Sequence, residues 1–144
     1  MTRPSVLFVC VKNGGKSQMA AALLRQAAGD AIEVHSAGTT PGAGINELSR
    51  QVIEEAGGSM AGESTKPIDP ELLVRVDRVI VLGSEAVVEP VAGMRGSIET
   101  WETDEPSARG IEGVERMRLV RDDIRTRVAA LLAGVGAPAQ PDTH

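Results

Sequence analysis

The stretch Ser5-Val6-Leu7-Phe8-Val9 is β-branched and aromatic with no polar alternation. It runs straight into Cys10-Val11-Lys12-Asn13-Gly14-Gly15-Lys16-Ser17 and an alanine- and leucine-rich run to Ala28. A strand apolar on both sides belongs inside a parallel sheet, covered on both faces. A strand, a glycine turn and a helix in immediate succession therefore commit the chain to an α/β fold. Ser17 reads as the N-cap of a helix over 18–28, and Gly29 as its terminator.

The same alternation continues. A second strand is expected over 32–37, and Gly38, Pro41, Gly42 and Gly44 make the loop after it. Leu48, Val52, Ile53 and Ala56 recur at helical spacing in a helix over 46–56. Asp69-Pro70-Glu71 opens a short helix, with Asp69 as N-cap and Pro70 at the first helical position. Strands follow over 79–82 and 97–101. Met117, Val120, Ile124, Val128 and Leu131 then share one face of a long helix ended by Gly134, Gly136 and Pro138. The expectation is one domain over 1–134, an α/β fold with a small doubly wound parallel sheet and helices on both faces, and a flexible C-terminal tail over 135–144. In such a sheet the ligand site lies at the carboxyl ends of the strands.

Composition removes several classes of function. The net charge of −5 repels nucleic acid and anionic lipid, and two aromatic residues, Phe8 and Trp101, offer no base-stacking platform. No segment approaches the roughly 20 apolar residues of a membrane-spanning helix. Neither a nucleic-acid partner nor a membrane is expected. One cysteine excludes an intramolecular disulfide and multi-cysteine metal sites, so no metal is expected, and a lone thiol fits a reducing compartment, by default the cytoplasm.

The loop carries the chemistry. Backbone N–H groups of Val11, Lys12, Asn13, Gly14, Gly15, Lys16 and Ser17, together with a helix N-terminus, converge on a tetrahedral-oxyanion pocket, and the glycines let backbone approach the ligand. Cys10 stands at its mouth, where the loop donors and the Lys16 ammonium favour a thiolate nucleophile that the Ser17 hydroxyl is expected to hydrogen-bond. Lys12 adds field at the rim or is simply solvated. The nucleotide-binding pattern G-x-x-x-x-G-K-[ST] matches at Gly15, Lys16 and Ser17, but Cys10 replaces its first glycine and no strand ends in a magnesium-binding Asp. His35, on the second strand, is expected to lack an acid or cysteine partner and reads as a satisfied or exposed histidine, and Trp101 reads as packing under the acid loop. The alternating Arg and acidic residues of 115–127 read as a solvated, ion-paired helix face.

Taken as Cys-x5-Arg-Ser with Lys16 for arginine, the loop resembles that of the low-molecular-weight protein tyrosine phosphatases and the arsenate reductases built on their fold. Lys16-Ser17-Gln18-Met19-Ala20 and Ser36-Ala37-Gly38-Thr39 are similar to two further signatures of that family. Trp101-Glu102-Thr103-Asp104-Glu105-Pro106 resembles its acid loop, where a carboxylate before a proline protonates the leaving group. Glu105 holds that position in place of the usual Asp, and Asp104 is the alternative.

The resemblance implies a choice of chemistry. Ser107-Ala108 after Pro106 provide no aromatic clamp for a phosphotyrosine ring. The segment 82–90 carries Gly83 and Glu89 where thioredoxin-linked arsenate reductases carry two further cysteines. A single-cysteine member must hand arsenic or electrons to an external thiol, and the resemblance is to the mycothiol-dependent arsenate reductases. It implies arsenate as substrate, no bound cofactor, and mycothiol with a mycoredoxin as partners. The alternatives are a phosphomonoesterase working through a phosphocysteine and an oxyanion-binding module whose catalytic parts have decayed.

Overall fold

Every residue of β1 (Ser5–Cys10) is buried. Val6, Phe8 and Cys10 enter one core cluster while Leu7 and Val9 enter another, so the strand's two faces serve two separate packing layers. The computed structural model describes residues 3–134. It pairs β1 in parallel with β2 (Glu33–Gly38) on one side and with β3 (Arg78–Leu82) on the other. β4 (Ser97–Trp101) adds in parallel to β3, giving a four-stranded sheet of order β2-β1-β3-β4. The connections from β1 and β2 leave to opposite sides of β1. The carboxyl end of that strand is therefore the switch point at which open α/β sheets bind ligands.

Helices cover both faces, unevenly. The larger cluster packs α1 (Lys16–Ala28), α2 (Glu47–Glu55) and α4 (Gly113–Gly134) against the sheet, with Met117, Val120, Ile124, Val128 and Leu131 of α4 all buried, as their spacing requires. Phe8 and Trp101 meet within it, ring centroids 5.8 Å apart. The opposite face carries α3 (Pro70–Arg75), and residues 83–96, which form neither helix nor strand, lay Ala86, Val88 and Met94 over the rest. Asn46 and Asp69 cap α2 and α3 through their side chains, accepting from the N–H groups of Ser49 and Glu71. Two α2–α4 ties are ionic: Glu55 accepts from Arg118 (2.7 Å) and Arg121 (3.1 Å). Among the described residues no helix is long and apolar enough to cross a membrane.

Two expectations change. α1 begins at Lys16 behind Gly15, which has no side-chain cap, and Ser17 lies inside the helix with its hydroxyl spent on Cys10 and Asn13. His35 does have an acid partner: its Nε2 meets the Glu33 carboxylate, which Arg75 also grips, and together they hold Glu33 down to about 2, the Arg75 hydrogen bond contributing most. The strand period of two places Glu33 and His35 on one face, so the pairing was available to sequence reasoning. Residues 135–144, read as a tail, lie outside the described residues.

Candidate functional site

Leaving β1, the chain is turned by its own carbonyl groups. The N–H groups of Thr39, Thr40, Gly42 and Asn46 donate to the carbonyls of Cys10, Val11, Lys12 and Gly14 over 2.7 to 3.0 Å. A trans peptide holds its C=O and the following N–H antiparallel. Those four bonds therefore aim the N–H groups of Val11, Lys12, Asn13 and Gly15 away from the 39–46 brace. One of them reaches sulfur: Asn13 N–H donates to Cys10 Sγ at 3.3 Å.

Gly14 and Gly38 are required for close approach of backbone to backbone. A Cβ on Gly14 would sit 2.8 Å from the Gly44 carbonyl oxygen, and one on Gly38 would sit 2.7 Å from that of Val11. The small residues let loop and brace backbones touch. Asn13 takes the left-handed conformation at φ 57°, which asparagine tolerates better than most residues and which the Asn13-Gly14 dipeptide signals in sequence.

Behind the sulfur lies a buried polar chain. Ser17 Oγ is 3.0 Å from Cys10 Sγ and accepts from Asn13 Nδ2 at 2.8 Å, which leaves the serine proton free to point at sulfur. Asn13 Oδ1 accepts from Gln18 Nε2 (3.2 Å), the Lys66 N–H (3.1 Å) and Lys66 Nζ (3.4 Å). These donors fix the amide orientation, so each link directs a proton toward Cys10. Burial first, and Arg25 nearby, hold the Lys66 ammonium below the usual lysine value against the pull of Glu63. Sequence reasoning missed Gln18 and Lys66, and no local pattern marks Lys66.

In front of the sulfur is a cavity of about 400 Å³. It is lined by Cys10, Val11, Lys12 and Lys16 of the first loop, by residues 82–85 after β3, and by Glu102, Thr103 and Glu105 after β4. Asn13, Gly14, Gly15 and Ser17 stand behind that lining. Glu105 shares this cavity with Cys10, its Oε1 3.3 Å from Lys16 Nζ. Its Oε2 accepts from Arg116 through Nη2 (2.8 Å) and Nε (3.2 Å) and from the Ser107 hydroxyl (3.1 Å). Arg116 foremost, with Lys16 and Ser107, holds the Glu105 carboxyl below its ordinary value against the opposing effect of burial. Asp104 lies outside the cavity lining, gripped by Arg109 at 2.9 and 3.2 Å and lowered chiefly by it. Trp101 is buried against Phe8 and lies outside the cavity lining. Among the described residues no cluster of three or more His, Cys, Asp or Glu could hold a metal ion.

A hydrogen-bonded thiol at a glycine loop, sharing a cavity with Lys16 and Glu105 at a sheet switch point, agrees with what sequence comparison finds. Residues 5–140 match the family model for low molecular weight phosphotyrosine protein phosphatases. The chain belongs to that family. Within it, the chain is 31% identical over 134 residues to an arsenate reductase of Bacillus licheniformis, covering 89% of this chain and 94% of that one. Its fold superimposes on an arsenate reductase in the phosphate-binding state with a TM-score of 0.79 at 27% identity, covering 92% of this chain and 99% of the other. The thioredoxin-dependent arsenate reductase of Corynebacterium glutamicum gives a TM-score of 0.76 at 30% identity over 92% of this chain. The match spans 62% of that longer protein.

Proposed function

We propose that the protein is an arsenate reductase that works through Cys10 and an external low-molecular-weight thiol, mycothiol being the thiol the sequence resemblance favours. The carrying observation is Cys10 Sγ bonded to Asn13 N–H and Ser17 Oγ at a cavity that the paired Lys16 and Glu105 also line. Those donors favour the thiolate, and the loop N–H groups with Lys16 favour a tetrahedral oxyanion beside it. In the first step the Cys10 thiolate attacks arsenic and one arsenate oxygen departs as water. Transfer of the arsenic to a thiol R–SH regenerates the Cys10 thiol. A second thiol then attacks the R–S–As(V) adduct. The two sulfurs leave as a disulfide and give arsenic the two electrons that make it arsenite.

Glu105 is the proton donor in this reading, because Asp104 lies outside the cavity lining and is committed to Arg109. Its resting form is a carboxylate with three donors. When the oxyanion draws Lys16 to itself, Glu105 loses a cation and gains a negative neighbour. Both changes raise its proton affinity at the moment a proton is needed. Lysine presents a point charge rather than arginine's bidentate fork, so Lys16 supports equatorial phosphoryl oxygens less well.

The test offers arsenate with mycothiol, mycoredoxin and reductant, and in parallel with thioredoxin, glutathione or para-nitrophenyl phosphate. Arsenite formation dependent on mycothiol is expected. Turnover with thioredoxin alone would replace the thiol assignment. Brisk phosphate-ester hydrolysis with arsenate acting only as an inhibitor would favour the phosphomonoesterase, and oxyanion binding without chemistry in any system would favour the decayed binding module.

A further inference from the structure

Arg116 belongs to α4, on the face that its alternating charges mark as ordinary solvated surface, yet both Nε and Nη2 close on one oxygen of Glu105. The other oxygen, Oε1, is thereby presented to Lys16. We propose that Arg116 is a positioning residue for the oxyanion cavity: by partly neutralising Glu105 it loosens the Lys16–Glu105 pair, so that Lys16 is released to the incoming anion. This rests on the oxyanion reading of the cavity.

Anion and carboxylate compete for Lys16. A tetrahedral dianion entering beside Cys10 must take Lys16 from a carboxylate that already holds it, and must do so against that carboxylate's own negative charge. Each cation sharing Glu105 weakens the hold of the others and screens the repulsion. The groups facing Glu105 are Lys16 from α1, Arg116 from α4 and Ser107 from the turn after Pro106. Lys12 and Glu85 also line the cavity, as does Glu102 on the same loop as Glu105. The neighbouring Asp104–Arg109 pair is internally neutralised. Of the cations here only Lys16 and Arg116 are bonded to Glu105, and Lys16 is the one a bound anion removes.

Calorimetric titration of the full chain with sodium sulfate at pH 7 tests this, because sulfate does not titrate there. Arg116→Gln is expected to weaken sulfate binding roughly 3- to 10-fold, the scale of one exposed ion pair near a charged ligand. Glu105→Gln is expected to tighten it, and Arg116→Gln in the Glu105→Gln background to change it by less than about twofold, since the carboxylate through which Arg116 acts is gone. Arg116→Lys should recover most of the loss. An equal loss in both backgrounds would show a general field effect and overturn the proposal, as would no loss in the wild-type background. An independent readout is the Glu105 carboxyl titration by NMR, expected to move to higher pH in Arg116→Gln. Should sulfate and phosphate fail to bind the wild type, the oxyanion reading falls while this titration still decides on Arg116: an unmoved midpoint overturns its grip on Glu105, and a raised one upholds it.

Discussion

On one side of the cavity Asn13 and Ser17 are fully buried, bonded to each other and to Cys10, and braced from outside by the amides of 39–46. On the other side the Glu105 side chain is 44% exposed and is held by Lys16, Arg116 and Ser107, all side-chain contacts. Buried hydrogen bonds between fixed backbone and short side chains keep one geometry, since breaking any of them strands a polar group. Exposed ion pairs contribute little to stability and exchange partners readily. The sulfur side is thus a rigid template and the acid side an adjustable one. Substitutions on the first should be felt in folding, and those on the second in turnover.

The largest effect should come from the adjustable side. Glu105→Gln should lower arsenate turnover roughly 100-fold or more, the usual contribution of a positioned proton donor, while leaving the melting temperature nearly unchanged. Unchanged turnover would end the assignment of Glu105. The rigid side is probed by Gly14→Ala, whose methyl meets the Gly44 carbonyl at 2.8 Å with no flexible atom able to yield. A loss of about 1–3 kcal/mol in denaturant unfolding is expected, and a wild-type midpoint would show that the brace gives way. Asp104→Asn should change turnover less than about threefold, because a general acid contributes only from within hydrogen-bond reach of the reacting oxygen. A drop as deep as that of Glu105→Gln would reverse the two carboxylates.

The smallest effect concerns pH. Glu55, held at about 2 chiefly by the Arg118 hydrogen bond, has its folded value depressed, so its contribution to stability is present above the ordinary 4.5 and is lost as pH falls toward 2. Thermal unfolding should therefore weaken over that window in wild type and weaken less in Glu55→Gln. Identical pH profiles would show that the α2–α4 ion pairs do not matter to folding.

What could be read from sequence follows the same division. Cys10, the glycine loop and α1 form one contiguous segment whose strand, turn and helix signals agree, and the brace enters through the nearby Gly38-Thr39. Ser17 was legible both as a helix-start hydroxyl and as a hydrogen-bond partner of the Cys10 sulfur, and the fold keeps the second role and gives the cap position to Gly15. Lys66 and Arg116 were not legible. Each reaches the site from far along the chain, and a lysine in a loop or an arginine on a charged helix face is the commonest surface residue there is. The choice of Glu105 over Asp104 also waited for geometry, because adjacent residues point in different directions.

The most direct measurement is alkylation of Cys10 by iodoacetamide at neutral pH, followed by mass spectrometry with and without arsenate, phosphate or sulfate. Rapid modification of Cys10 that each oxyanion suppresses, and that Asn13→Ala slows by removing both the buried amide and its hold on Ser17, is the result predicted for a thiolate sharing its pocket with the substrate. A Cys10 that reacts no faster than an ordinary buried thiol, with no protection by any of the three anions, would contradict the account.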